Sequence, residues 1–193
     1  MAERFSSLRP DLAQWWREQP VFFVATAPSG DAGHVNLSPK GLDTLRVLAA
    51  DRVAYLDLTG SGVETIAHLR DNGRITLMAC AFEGNPRISR IYGRGAVHVA
   101  GSPEFDALAS EFPDLPGRRS IIDIAVERVT TSCGFAVPLM DLVDDRDRLL
   151  DWAKSKGEDG IAEYRENKNA FSMDALPGID VLPGLDGRPG IHA

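Results

Sequence analysis

Between Asp57 and Thr65 the chain reads Asp-Leu-Thr-Gly-Ser-Gly-Val-Glu-Thr, a strand-like run that passes through glycines and hydroxyl residues into a helical pattern. Exposed backbone N–H groups in such a turn, with the positive end of the following helix, favour an anion such as a phosphate. Thr59, Ser61 and Thr65 add hydroxyl donors. The same residues also make an ordinary tight turn with a Thr or Ser helix cap, so the motif by itself leaves both readings open. Gly60-x-Gly62 resembles the start of a dinucleotide fingerprint, but Thr65 stands at its third glycine position. The strand after the helix turns straight into an antiparallel strand, whereas a dinucleotide-binding domain needs repeated strand-helix-strand crossovers.

Other chemistries find little support. His34, His68, His98 and His192 fall on separate elements without metal-ligand spacing, so no metal site is expected. Cys80 and Cys133 form no Cys-x-x-Cys pair and are expected as reduced core residues. No Ser-His-Asp arrangement is evident. Lys plus Arg is 21 against 28 for Asp plus Glu, a net charge of -7, which disfavours nucleic acid as a partner. Met1 to Ser7 lacks the apolar stretch of a signal peptide and no later run reaches membrane-spanning length, so no membrane role and a cytoplasmic location are expected.

The elements that must position the turn follow from periodicity. A helix is predicted over Asp11 to Gln19, ended by Pro20, with Trp15 and Trp16 as packing residues. Val21 to Ala25 and His34 to Ser38 read as a hairpin around Pro28-Ser29-Gly30-Asp31. Arg52 to Leu58 reads as the strand entering the turn, Val63 to Asp71 as the helix leaving it, and Asn72-Gly73 as its stop. Arg74 to Phe82 and Arg87 to Val99 pair through Glu83-Gly84-Asn85-Pro86, a connection short enough to require antiparallel pairing. Ser102-Pro103-Glu104 starts a helix ending by Phe112, and Ile122, Ile124 and Val126 alternate as a strand with one buried face. That makes about six strands. Helix returns over Asp144 to Asn169 with a break at Gly157. The remainder repeats Leu-Pro-Gly at Leu176 to Gly178 and Leu182 to Gly184, which reads as an extended arm or disordered tail.

The blocks His34-Val35-Asn36-Leu37-Ser38-Pro39-Lys40-Gly41, Val53 to Thr65, His68 to Arg74 and Arg90-Ile91-Tyr92-Gly93-Arg94 resemble, in order and spacing, those of the pyridoxamine 5'-phosphate-oxidase-like family. The resemblance implies a mainly β fold with peripheral helices: a six-stranded antiparallel split β-barrel that dimerises, with FMN in a groove between subunits. With the elements read above, the chain divides into a helix over 1–20, a flavin-binding split barrel over 21–140, helices over 141–170 and a Pro/Gly-rich tail over 171–193. The resemblance also brings Asn36, Ser38 and Lys40 to the flavin, Thr59, Ser61, Gly62 and Thr65 to its phosphate, and Arg90 to the site from a later strand. Lys40 and Arg90 would then neutralise the phosphate through charge-assisted hydrogen bonds. Arg94 is equally compatible with a solvated strand face.

The function implied is that of a homodimeric FMN-dependent oxidoreductase exchanging a hydride or electrons with a small molecule. The cofactor does the transfer, so no catalytic acid or nucleophile need stand out. The same scaffold also carries deazaflavin-dependent reductases and non-catalytic flavin- or haem-binding carriers or sensors. Two departures narrow the expectation. Where the oxidase has a basic pair before its helix, this chain has Val63-Glu64-Thr65, and Glu64 would repel a phosphate. The oxidase's closing Trp- and Arg-containing segment is replaced here by Leu-Pro-Gly repeats, so vitamin B6 oxidation is not expected.

Overall fold

The structure, a computed structural model, describes residues 3–179. In chain order the elements are β1 (Glu3–Phe5), α1 (Pro10–Arg17), β2 (Phe22–Thr26), β3 (Asn36–Lys40), β4 (Leu45–Ala49), β5 (Arg52–Leu58), α2 (Glu64–Asn72), β6 (Arg74–Cys80), β7 (Ile88–Val99), α3 (Pro103–Ala109), β8 (Arg118–Ser132) and α4 (Arg148–Lys168). Every pairing among the strands is antiparallel. They form one sheet of 8 strands in the order β3-β2-β6-β7-β8-β5-β4, with β1 added to the far end of β8.

This is the expected split-barrel class with two more strands than the six expected. The additions, β1 and β4, are short flanking strands. A three-residue strand carries too few residues for alternation to register, and β4 turns into β5 through Ala50-Asp51, which lacks the Asn-Gly or Asp-Gly signal of a tight hairpin. The strand expected at His34 to Ser38 lies two residues later. Val35 is 75% exposed outside the pairing, and Pro39 is tolerated inside β3 because that strand sits at the sheet's edge.

Two cores flank the sheet. The larger gathers Trp16, Val24, Val53, Tyr55, Ile66, Leu77, Ile91, Ile122 and Val129 beneath α1 and α2, and the smaller gathers Ala54, Leu56 and Ile121 with Phe105 and Phe112 of the α3 region. β5 and the first half of β8 run between them, which is why Val53 to Asp57 and Arg119 to Ile122 are buried on both faces rather than one. Trp16 is fully buried and donates its indole N–H to Ser89 Oγ at 3.0 Å. Cys80 is buried as expected, but Cys133 is exposed just past the end of β8, where the chain leaves the sheet.

Glycine is required where β7 crosses β8. A Cβ on Gly93 would collide with the Ala125 carbonyl oxygen at the bulge between Tyr92 and Gly93. Residues 169–179 are docked: Phe171 bridges Pro177, Gly178 N–H bonds Ala170 O at 2.7 Å, and Ile179 is buried in the larger core. Leu182 to Gly184 and the rest of the expected tail lie outside the described residues.

Candidate functional site

Pairing parity determines which strand residues can meet. Residues directly opposite across an antiparallel pair project to the same face. Phe22, Val24 and Thr26 project into the core and pair with Lys40, Ser38 and Asn36, so those three share the core-side face at the edge of the sheet. β5 delivers Asp57, and the turn after it delivers Gly60, Ser61 and Gly62. Together with Glu64 and Thr65 at the start of α2, Arg119 on β8 and Leu149 on α4, they line a cavity of about 320 Å³.

A buried ion cluster forms the cavity's base. Asp57, Lys40 and Arg119 meet there, with Lys40 Nζ 3.1 Å from Asp57 Oδ1 and Arg119 Nε 2.7 Å from Oδ2. Ser120 Oγ adds a hydrogen bond to Oδ2 at 3.3 Å. Burial works to raise the Asp57 pKa, but Arg119 and then Lys40 overcome it and hold the carboxyl at about 2. Two cations against one anion leave the cluster itself with a net positive charge, which Glu64 elsewhere in the cavity lining offsets. Tyr55 lies fully buried beside Lys40, whose Nζ is 5.9 Å from the ring centre, and burial followed by the Asp57 charge keeps its phenol protonated.

A second network fixes the wall. Asn36 Nδ2 donates to Thr65 Oγ1 at 3.0 Å and more weakly to Thr26 Oγ1 at 3.4 Å, while Asn36 Oδ1 accepts from Ser38 Oγ at 3.1 Å. Thr26 Oγ1 lies 3.0 Å from Nδ1 of the buried His68. Burial pushes the His68 pKa down against the nearby Asp174, Glu64 and Asp71 charges, favouring the neutral ring. Thr26 Oγ1 thus links the His68 ring to the Asn36 amide, and this chain of contacts sets the amide's orientation.

The opening of α2 is bare. Its N-cap, Val63, offers no side-chain cap, so neither Thr65 nor Ser61 plays the capping role that the sequence left open. Glu64, at the first helical position, accepts the Met173 N–H at 3.4 Å through Oε1 and still lines the cavity. Thr59 is turned away. Its Oγ1 donates to Gly117 O at 2.9 Å and accepts from Arg165 Nε at 3.0 Å, which anchors the turn.

A family profile described as pyridoxamine 5'-phosphate oxidase matches residues 8–133. A curated relative, the pyridoxamine 5'-phosphate oxidase family protein ustO of Aspergillus flavus, is 40% identical over 194 residues, covering 91% of this chain and 77% of the relative. The chain belongs to the pyridoxamine 5'-phosphate oxidase family. A solved HupZ variant from Group A Streptococcus shares the fold at a TM-score of 0.50 and 20% identity, covering 65% of this chain and 99% of that one. So does a protein of Lactobacillus delbrueckii named as a candidate pyridoxamine 5'-phosphate oxidase, at a TM-score of 0.50 and 17% identity over 65% of this chain and 94% of that one.

Of the residues expected from the oxidase-family blocks, Asn36, Ser38, Lys40, Ser61, Gly62 and Thr65 line one cavity, and Thr59 stands behind it. Arg90 does not join them. It pairs with Met78 and Thr130, between the core-facing Ser89 and Ile91, and so projects from the opposite face of the sheet. Arg94 is exposed and pairs with Glu127 at 3.2 Å. Sequence reasoning missed Asp57, Arg119 and Asn169, each of which acts through a partner distant in the chain. All the expected residues lie inside the span matched by the family profile, whereas Arg165, Asn169 and the docked 169–179 segment lie beyond it. Among the described residues no group of three or more His, Cys, Asp or Glu is placed to hold a metal, and no helix is long and apolar enough to cross a membrane.

Proposed function

We propose that this chain binds FMN and works as a homodimeric oxidoreductase that exchanges a hydride or electrons with a small molecule. The observation that carries the reading is the convergence of Lys40 and the uncapped start of α2 on one cavity, with Ser38 and Thr65 hydroxyls in its wall. A helix N-terminus with free N–H groups and a fixed cation beside it suits a phosphate monoester. Membership of the oxidase family supports the same ligand. Bound FMN would supply the redox chemistry, and the protein's part is to hold and orient it.

Lys40 and the α2 N–H groups would hold the phosphate, and Asn36 and Ser38 would stand along its path toward the ring. At about 320 Å³ the cavity is near the lower end of the range for small-molecule sites, so part of an FMN would extend past this chain's own walls. That supports a second subunit as the missing wall. The outer sheet face favours the same arrangement, because Leu37, Phe23, Met78 and Tyr92 form an apolar surface there with Arg90 among them. Arg90 would therefore serve the partner's FMN rather than its own.

The test is a titration with FMN and with riboflavin, alongside the visible absorption spectrum of the freshly purified protein and its response to NADH and NADPH. Lys40→Ala is expected to weaken FMN binding by roughly 1.5 to 3 kcal/mol, or about 10- to 150-fold, and to leave riboflavin almost unchanged. Equal affinity of the parent for FMN and riboflavin would refute the phosphate site.

A further inference from the structure

The turn at the cavity is held from behind by side chains that take no place in the family blocks. Arg119, 4% exposed, donates through Nη1 to Gly62 O at 2.8 Å and Asn169 Oδ1 at 2.9 Å, with Gly60 O farther at 3.5 Å. Asn169, fully buried at the end of α4, donates Nδ2 to Gly60 O at 2.9 Å and Ser61 O at 3.3 Å. Successive carbonyls from Gly60 to Gly62 are thus all drawn to the same buried side.

Peptide planarity converts that into a statement about donors. In a trans peptide the N–H points opposite to the carbonyl of the same unit. Drawing in the carbonyls of Gly60, Ser61 and Gly62 turns the N–H groups of Ser61, Gly62 and Val63 outward, and none of these makes a hydrogen bond among the described residues. Ser61 and Gly62 are exposed and line the cavity, while Val63 behind them is buried.

We propose that Asn169, together with Arg119, is a positioning residue that sets the Gly60 to Gly62 loop in its anion-accepting conformation. The inference rests on the phosphate site proposed above and supplies what replaces the family's basic pair at Val63-Glu64-Thr65. Asn169 itself lies outside the cavity lining and need not touch the ligand. Its own backbone is fixed on both sides, by Asn169 N–H to Arg165 O at 2.7 Å and by Ile179 N–H to Asn169 O at 2.8 Å. The docked C-terminal segment therefore holds the residue that holds the loop.

The experiment uses the full chain and Asn169→Asp, which keeps an oxygen for Arg119 but sets a carboxylate oxygen against the Gly60 and Ser61 carbonyls. The ratio of FMN to riboflavin affinity is expected to fall about tenfold, as for loss of an aligned anion donor set, while circular dichroism and cooperative melting persist. A ratio within about twofold of the parent's, in a folded variant, overturns the proposal. If Asn169→Asp does not fold, Asn169→Ala removes the same donors without adding charge and is read the same way. If the parent binds neither flavin, the FMN reading fails separately, and inorganic phosphate becomes the probe. Phosphate should then shift the parent's Ser61, Gly62 and Val63 amide resonances, and shift them less in the variant. Unmoved amides in the parent, or equal shifts in both proteins, would overturn the positioning role.

Discussion

Asp57 carries the electrostatics of the cavity because it binds both Lys40 and Arg119 while buried. Its folded pKa of about 2 lies below its ordinary value of 3.8, so it contributes stability that is present above pH 3.8 and lost as pH falls through about 2. The size of that contribution is on the order of 2 kcal/mol. Asp57→Asn leaves two cations without their anion and should cost about 3 to 5 kcal/mol at neutral pH. Urea unfolding of parent and variant between pH 5 and pH 2 checks both parts. The parent should lose stability more steeply across that window, and an acid limb of equal slope in Asp57→Asn would show that other carboxylates govern it. Lys40→Ala should be milder in stability than Asp57→Asn, because Arg119 still neutralises the carboxylate.

At the scale of elements, the start of α2 is built jointly by β5, the end of α4 and the segment after it. Gly178 is the point of closest approach: a Cβ there would strike the Asn169 carbonyl oxygen and crowd both methyls of Val63, the α2 N-cap. Arg70, on α2, donates to the Gly178 carbonyl from the other side. Gly178→Ala should therefore loosen this joint at a cost of about 1 to 3 kcal/mol, seen as a lower melting temperature and faster proteolysis within 170–179. An unchanged melt and cleavage pattern would mean the segment yields without strain. The sequence made β5, α2 and β7 legible because their apolar spacing runs over seven or more residues. It also marked the Thr59 to Thr65 turn through glycine and hydroxyl content. It could not mark Arg119 or Asn169: their partners in the loop are more than 50 positions away, and a buried Arg reads like its half-buried neighbour Arg118.

Across the whole molecule, the sheet has two differently employed faces. The core-side face carries Asn36, Ser38 and Lys40 into the cavity, and the outer face carries Arg90 among Phe23, Met78 and Tyr92. Strand alternation forbids Arg90 from reaching its own chain's Lys40 side, so a site using both residues must draw them from different subunits. Register, not residue type, decides this, which is why the family blocks alone grouped them. Leu37→Arg, at a side chain 63% exposed on the outer face, should shift the proposed dimer to monomer in light scattering and weaken the proposed FMN binding with it. A sharper test mixes damaged subunits. In the proposed dimer with a shared site, Lys40→Ala and Arg90→Ala homodimers would each have both sites impaired. In a dimer pairing one Lys40→Ala chain with one Arg90→Ala chain, a shared site leaves one groove with Lys40 and Arg90 both intact and the other with neither. Titration of the purified mixed dimer should then show one FMN bound with parental affinity and a second site weaker than in either parent variant. A second site no weaker than in the Lys40→Ala homodimer, beside one of parental affinity, would mean that each groove takes all its ligands from one chain and that Arg90 acts from the outer face on something other than FMN.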